Sequence, residues 1–103
     1  MNRSKQKGTA WETACARYLQ VERRTLQGKY DKGDLSIPGI VVECKNAQRF
    51  ALAEWLDEAA LEAANAGVQD YIVWAKRRGT TNPGDCYVIT TGDVFWRIWG
   101  EDQ

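Results

Sequence analysis

Two acidic side chains and one lysine are placed by their spacing to act together in a predicted β-hairpin. Asp34 lies in the first strand, Glu43 and Lys45 lie near the end of the apolar second strand, residues 40–45, and Pro38-Gly39 suits the tight turn between them. Counting outward from this turn puts Asp34 directly opposite Glu43. Side chains two residues apart share one face of a strand, so Lys45 points to the same side. The spacing therefore predicts that two carboxylates and one ammonium group converge.

Opposed carboxylates favour a divalent cation. Like charges directly opposite each other destabilise a strand pair, and a bound cation reverses that effect. Mg²⁺ accepts one or two carboxylates, main-chain oxygen and water, and it prefers substrates that bring phosphate oxygens. Asp34, Glu43 and the main-chain carbonyl of Cys44 are the predicted ligands, and Lys45 would orient water or stabilise developing charge in phosphodiester cleavage. The alternative is a solvated strand end with a surface glutamate and lysine.

Composition excludes several other chemistries. The chain contains no histidine, so it cannot build a Ser-His-Asp triad, a zincin or a zinc deaminase site. Its three cysteines, Cys15, Cys44 and Cys86, include no CxxC pair, and neither a disulfide framework nor a zinc site is expected. No apolar run approaches the roughly 20 residues that span a bilayer, and the polar N-terminus lacks a signal-peptide core. A cytoplasmic protein without membrane contact is the expectation.

The elements that must position these residues fit one small α/β domain covering residues 1–103, with a flexible basic N-terminus at 1–7. Hydrophobic periodicity predicts a mixed β-sheet flanked by helices, in the order α-β-β-β-α-β-β with a short C-terminal helix. The predicted helices are 9–22, 50–66 and a last one beginning at Thr91 or Asp93; the predicted strands are a short edge strand around Thr25 and Leu26, then 34–37, 40–45, 71–75 and 86–90.

The acidic residues of the second helix and the five tryptophans predict which side chains face solvent and which face the core. The second helix carries four acidic residues and no basic one, which predicts an ordinary surface turned away from DNA: Glu54, Asp57, Glu58 and Glu62. Three of the five tryptophans fit core positions, whereas the last two cannot both face inward if Phe95 and Ile98 do: Trp11, Trp55 and Trp74, then Trp96 and Trp99. Some aromatic surface is therefore expected to form an interface.

The segment GDLSIPGIVVECKN, residues 33–46, resembles the D-(x)n-E-x-K core of the PD-(D/E)XK nuclease superfamily, with Gly33 in place of the leading proline. The segment KGTAWE, residues 7–12, resembles the K-G-x-x-x-E opening of archaeal-type Holliday junction resolvases and their phage-encoded relatives, and it also resembles RecB-like nuclease domains. The similarity extends over about residues 7–98. It implies a restriction-endonuclease-like core and an active site of Glu12, Asp34, Glu43 and Lys45 that uses Mg²⁺ or Mn²⁺.

Glu12 has a second interpretation. Thr9-x-x-Glu12 has the pattern of a capping box, in which the glutamate returns a hydrogen bond to the amide of Thr9 at a helix N-terminus. The resemblance instead assigns Glu12 to the active site, as a further candidate metal ligand. Family members also carry polar residues just after the lysine and before the first acid, which makes Asn46, Gln48 and Tyr30 further candidates.

Charge is distributed unevenly although the net charge is zero. Ten basic and five acidic residues lie up to Arg49, and four basic and nine acidic residues lie after it. This asymmetry indicates either a polyanion-binding face or complementary surfaces within one fold. The predicted DNA contacts, which could alternatively serve as a solubilising surface, are Arg3, Lys5, Lys7, Lys29, Lys32, Lys76, Arg77 and Arg78.

Together the spacing and the resemblance predict a metal-dependent, structure-selective endonuclease of DNA recombination. The favoured substrate is a four-way DNA junction, cleaved by a phage-type Holliday junction resolvase in the host cytoplasm. Symmetric cuts in two strands require two active sites, so a homodimer is expected, as in the family. The alternatives are a RecB-like or nicking DNase acting on single strands, ends or flaps, and a non-catalytic DNA-binding module.

Overall fold

The computed structural model describes residues 3–24 and 33–100, with the side chains of the first helix described from residue 8 onward. Within these residues the chain forms a three-stranded mixed sheet and three α-helices, which confirms the predicted α/β class. The elements in chain order are α1 Arg3–Leu19, β1 Ile40–Lys45, α2 Leu52–Ala66, β2 Asp70–Ala75, β3 Tyr87–Ile89 and α3 Gly92–Gly100.

The sheet has the order β1-β2-β3. β1 and β2 are parallel, with Ile40 beside Asp70 and Lys45 beside Ala75, because α2 carries the chain back across the sheet between them. β3 pairs antiparallel with β2 and places Tyr87 beside Ala75. The carboxyl ends of β1 and β2 therefore meet at one edge of the sheet, where ligands bind in many α/β folds.

Helices cover both faces of β1, whose residues 41–44 are all buried. On the α1 face, Trp11 is 2% exposed and its indole Nε1 donates to the carbonyl oxygen of Trp74 at 3.0 Å. Trp74 in turn donates from Nε1 to the carbonyl oxygen of Pro83 at 3.2 Å, which fixes the loop before β3. On the α2 face, Trp55 packs with Ala59 and Val73. The predicted core positions of Trp11, Trp55 and Trp74 are confirmed.

The predicted hairpin is only partly regular. The turn at Pro38-Gly39 and the strand at 40–45 are present, but residues 34–37 form no strand beyond one antiparallel bridge between Arg23 and Leu35. The amide of Asp34 donates to the carbonyl oxygen of Val42 at 2.9 Å, so the backbone of Asp34 lies beside Val42 rather than beside Glu43. The predicted register was therefore wrong by one residue. The expected edge strand around Thr25 and Leu26 lies outside the described residues.

The first helix begins at Arg3 and ends at Leu19, whereas the sequence predicted residues 9–22. Thr9 thus lies inside the helix, and the hydroxyl of Thr13 donates to its carbonyl oxygen at 2.9 Å. An N-cap residue must precede the first helical turn, so the capping-box interpretation of Glu12 was wrong. Glu12 lies in the interior of the helix, and its side chain does not cap the helix N-terminus.

The second and third helices match the predictions closely. α2 ends at Ala66, as predicted, with Gly67 as its C-cap residue. α3 is capped by the hydroxyl of Thr91, which accepts a hydrogen bond from the amide of Val94 at 3.3 Å. Along α3, Val94 is the buried residue. The large apolar side chains of α3 are instead exposed by 41–63%, namely Phe95, Trp96, Ile98 and Trp99. Phe95 and Ile98 therefore do not face inward. Among the described residues no helix is long and apolar enough to cross a bilayer.

Gly33, which leads into the candidate site, provides a test of this packing. Its φ is +96°, and a Cβ there would lie 3.0 Å from Cγ1 of Val41; Gly39 has φ +83° and nothing within 4 Å. We expect Gly33→Ala to lower the free energy of unfolding by about 1 to 3 kcal/mol more than Gly39→Ala, because only the first adds a steric clash to the cost of a positive φ. Urea unfolding of both variants measures the difference, and equal losses would contradict the close approach.

Candidate active site

Asp34 is held at one edge of β1 by its main chain and its side chain together. Its amide donates to the carbonyl oxygen of Val42 at 2.9 Å, and its own carbonyl oxygen accepts from the amide of Arg24 at 2.7 Å. Its carboxylate Oδ2 accepts from the amide of Cys44 at 2.7 Å. A hydrogen bond to a charged acceptor is short and strong, so this carboxylate is fixed in place without metal.

The carboxyls of Asp34 and Glu43 meet, although their backbones are not opposed. The side chain of Asp34 extends along β1 to the amide of Cys44, past the position of Glu43, and the two carboxyls form a hydrogen-bonding contact. In a strand the N–H and C=O of one residue point to the same side. The carbonyl of Cys44 therefore points to the same edge as its amide, toward Asp34.

Glu43 is a buried carboxyl among other carboxyls. It is 5% exposed. Burial, hydrogen bonds with Asp34 and Glu62, and the charges of those two groups raise the pKa of Glu43 to about 12. Without a cation, Glu43 is thus protonated at neutral pH. A divalent cation between these oxygens would reverse the preference and favour the carboxylate.

α2 contributes two carboxyls that the sequence analysis assigned to an ordinary surface. Glu62 is 7% exposed and touches Glu43. Glu58, one turn earlier, accepts from Nζ of Lys45 at 2.9 Å. A signal for this was present in the sequence, because Glu62 is three residues from Ala59 and beside Ala63, both in the buried stripe of α2. The assignment of Glu62 to an ordinary exposed surface was therefore wrong. Glu58 is exposed as predicted, and its hydrogen bond to Lys45 brings it to the candidate site.

Lys45 lies near Asp34 and Glu43, while its ammonium is held by α2. Nζ lies 6.0 Å from the ring centroid of Trp55, in addition to its bond to Glu58. Partial burial lowers the pKa of Lys45, but the hydrogen bond to Glu58 and the charges of neighbouring carboxylates, Glu58 and Asp34 among them, outweigh it and raise the pKa above 10.5. Lys45 is therefore a fixed positive charge at neutral pH and cannot accept a proton from water.

Glu12 reaches the same site from α1. Its Oε2 accepts from the guanidinium of Arg23 at 3.1 Å. Burial and the nearby carboxylate of Asp34 raise the pKa of Glu12, and the hydrogen bond and charge of Arg23 partly offset this increase. The structure thus brings together all four residues that the resemblance implied, since Glu12 and Lys45 both interact with Asp34.

The donor set fits a hard divalent cation better than a soft one. Asp34, Glu43 and the carbonyl of Cys44 supply two carboxylates and one main-chain oxygen, which is the protein share that Mg²⁺ and Mn²⁺ use, with water and phosphate completing the shell. A hydrogen bond with Cys15 and burial raise the pKa of the Cys44 thiol, so its sulfur is not a donor. Within residues 3–24 and 33–100, no cluster of three or more His, Cys, Asp or Glu side chains is arranged to hold a metal ion.

Basic side chains border the site at the carboxyl ends of β1 and β2. The amide of Lys76 donates to the carbonyl oxygen of Lys45 at 2.9 Å, which places the two loops after these strands side by side. Lys76, Arg77 and Arg78 line a cavity of about 470 Å³ together with Asn46 and Gln48. The remaining predicted DNA-contact side chains and Tyr30 lie outside the described part of the chain: Arg3, Lys5, Lys7, Lys29 and Lys32.

The crowded carboxyls predict how stability depends on pH without metal. Folded Glu43 keeps a proton that unfolded glutamate, with a pKa of 4.5, releases. This stabilisation is complete below about pH 4.5 and is lost progressively as the pH rises toward the folded value. We expect the free energy of unfolding in EDTA to fall between about pH 5 and about pH 8, by at most about 1.4 kcal/mol per pH unit for one proton. Urea unfolding across this range measures it.

Glu43→Gln tests whether Glu43 causes this pH dependence, because glutamine is neutral at every pH and has nearly the same size and shape. We expect it to remove most of the slope and to be more stable than the natural chain at about pH 8. Glu54→Gln removes an exposed carboxylate from the first turn of α2 and should keep the slope. Stability of the natural chain that increases over the same pH range would contradict the crowded geometry.

Comparisons with known proteins give no relative. A scan of protein-family models and searches of curated proteins and of solved structures find no match to this chain. Function must therefore be inferred from the arrangement of these residues.

Proposed function

We propose that this chain is a divalent-cation-dependent endodeoxyribonuclease with a PD-(D/E)XK core, restriction-endonuclease-like in arrangement. The observation that carries the proposal is the contact between the Asp34 and Glu43 carboxyls at the edge of β1, with Asp34 held by the amide of Cys44. A buried acid held against a second, half-buried acid destabilises the metal-free protein, and a fold that needed only stability would gain by replacing it.

In this proposal Asp34, Glu43 and the Cys44 carbonyl hold Mg²⁺ or Mn²⁺, and Glu12 completes the site. When bound, the cation supplies Lewis acidity toward the phosphate and makes water a stronger acid. Hydrolysis joins the oxygen of water to phosphorus and breaks the bond from phosphorus to the leaving sugar oxygen, which takes up a proton from solvent water. The carboxylates of the site are the groups able to accept the proton that water loses.

Lys45 acts as a fixed charge in this scheme. Its ammonium stabilises the negative charge that develops on the phosphate oxygens, since its raised pKa keeps it protonated. The hydrogen bond of 2.9 Å to Glu58 positions Lys45, because it anchors an otherwise flexible side chain to α2. Glu58 is thus a positioning residue rather than a participant in the reaction.

The proposed substrate is branched DNA, with a four-way junction favoured and two copies of the chain acting together. Two symmetric cuts need two active sites related by a two-fold axis. The exposed aromatic face of α3 supports such an assembly: Trp96 and Trp99 are 63% and 48% exposed, and their rings lie 5.4 Å apart. Arg97 of α3 binds Asp70 at 2.8 Å, at the start of β2, roughly 16 Å along the strand from Ala75 beside Lys45. The face is thus well separated from the site.

Cleavage of a labelled four-way junction beside a linear duplex of the same sequence tests the activity. We expect paired nicks in the junction with Mg²⁺ and none with EDTA. Asp34→Asn should reduce cleavage by at least about 100-fold while leaving DNA binding and folding intact, because the asparagine oxygen can still accept from the amide of Cys44. Asp57→Asn removes an exposed acid of α2 and should cleave normally.

Other outcomes would point to the other candidate functions. Degradation of every DNA form would indicate a RecB-like or nicking DNase. Salt-sensitive binding without cleavage, in Mn²⁺ as well as Mg²⁺, would contradict the enzyme and leave a DNA-binding module.

The assembly has its own test in sedimentation over a range of protein concentrations. We expect the natural chain to form a dimer, and Trp96→Ser with Trp99→Ser to convert it to a monomer, because the exposed apolar area of α3 would be lost. Leu61→Ser is the matched control, since Leu61 is 64% exposed on α2, and it should leave the dimer intact. A natural chain that stays monomeric at all concentrations would contradict the proposed dimer.

A further inference from the structure

Two cavities of different character lie next to each other at the carboxyl ends of β1 and β2. The first is the basic cavity of about 470 Å³, bordered by Lys76, Arg77 and Arg78. The second, of about 280 Å³, lies between α1 and the loops that follow the strands. Asn46 and Lys76 line both cavities and so form a shared wall. A single ligand can therefore extend from one cavity into the other.

The basic cavity has the chemistry of a phosphate site. Its three cationic residues are joined by the amide side chains of Asn46 and Gln48, which can donate hydrogen bonds to phosphate oxygens. Among the described residues that line it, none is acidic. It begins one residue beyond Lys45, because Asn46 follows Lys45 in the chain and the amide of Lys76 binds the Lys45 carbonyl oxygen at 2.9 Å.

The second cavity has the chemistry of a nucleobase site. Ala10, Trp11 and Ala14 give it an apolar wall on α1, and Asn46, Lys76 and Thr81 supply polar groups at its margin. The wall is rigid, since Trp11 is fixed by its hydrogen bond of 3.0 Å to Trp74 and by an edge-to-face contact with the Trp74 ring at 6.3 Å. Small side chains at positions 10 and 14, one helical turn apart, keep the space open.

We propose that the two cavities together hold a single unstacked nucleotide, with its base in the apolar cavity and its phosphate in the basic cavity, next to the catalytic carboxylates. This inference rests on the proposed function for the identity of the substrate as DNA. The amide of Asn46 can both donate and accept, so it can bind the edge of any base without strong sequence preference. The apolar cavity with its polar margin suits a base, and the adjoining basic cavity suits the phosphate attached to it.

This nucleotide site gives the enzyme a physical basis for recognising branched DNA. In a linear duplex each base is stacked and paired, and removing it costs a few kcal/mol. At a branch point, flap or nick this cost is smaller, because stacking is already interrupted. DNA with an unpaired or poorly stacked base beside the cleaved bond would therefore be preferred over intact duplex.

The test measures binding without cleavage, in EDTA, by fluorescence anisotropy of the full chain. A four-way junction carries a single abasic residue, moved through the positions that flank the branch point. We expect one position at which loss of the base weakens binding by about 5- to 150-fold, which is the range for a base that stacks on protein. The same abasic residue within a linear duplex should have no such effect.

Cavity-filling variants show whether the loss arises in the apolar cavity. Ala14→Leu, and Ala10→Leu at a more exposed position, should weaken binding to the intact junction and abolish the further penalty of the abasic residue. Ala53→Leu on the exposed surface of α2 is the matched control and should change neither. Arg78→Gln should weaken binding to all DNA forms alike and reduce the salt dependence, as expected for a phosphate contact.

An abasic penalty that persists unchanged in both cavity-filling variants, or the absence of a penalty at every position, would overturn the nucleotide site. Junction cleavage in Mg²⁺ with either result would leave the proposed nuclease standing. Conversely, a base-dependent loss that both variants abolish, without cleavage in any metal, would keep the nucleotide site and contradict the enzyme. Failure to bind any DNA would overturn both.

Discussion

The hydrogen bond from the amide of Cys44 to the carboxylate of Asp34, at 2.7 Å, holds the candidate site together. A regular strand beside β1 would satisfy this amide with a backbone carbonyl, and here an acidic side chain does so. Leaving a part-buried amide without a partner costs about 1–3 kcal/mol, so the position of the carboxylate is tied to the stability of the fold. The same bond brings Asp34 to Glu43, so that their carboxyl oxygens lie together at the edge of β1.

The packing of α2 against β1 brings further carboxyls to the candidate site, and their proximity makes it unfavourable for Glu43 to be charged. α2 lies close to β1 because its contact residues are small, with Ala59 fully buried and Ala63 2% exposed. This close approach brings Glu62 into contact with Glu43 and Glu58 to Lys45. Glu43 can then be charged only when a positive ion is near, whereas Lys45 stays charged throughout. In the metal-free site a proton therefore removes the charge of Glu43, and the proposed cation would take the place of that proton.

Sequence patterns predicted the regular parts of this fold and missed the irregular ones. The stripe of Trp55, Ala59 and Ala63 with a following Gly67 defined α2 correctly, since periodicity and a C-cap residue act locally. The register at Asp34 could not be counted from the turn, because counting assumes two regular strands. The positive φ of Gly33 and the side-chain bond of Asp34 replace that regularity. Proline, with φ near −65°, could not adopt the conformation of Gly33, whose φ is +96°.

The sequence predicted the central residues of the candidate site, but it did not predict the residues of α2 that contact them. Asp34, Glu43 and Lys45 followed from spacing within one short segment, whereas Glu58 and Glu62 are brought in by the crossover from β1 to β2. Acidic residues on a helix usually face solvent, and only the distance between α2 and β1, which tertiary packing sets, decides otherwise. Glu12 shows the reverse case. A local pattern suggested a helix cap, and the longer helix removed that explanation.

The parallel pairing of β1 and β2 has a consequence for how the proposed activity is arranged. Both strands end at the same edge of the sheet. The candidate site therefore lies beside the two cavities and beside Lys76, Arg77 and Arg78, which follow β2. The aromatic face of α3 lies toward the other end of β2, where Arg97 binds Asp70. A partner on that face and a nucleic acid at the site would not compete for surface. The six-residue strand β2 thus separates the exposed aromatic side chains of α3 from the candidate site.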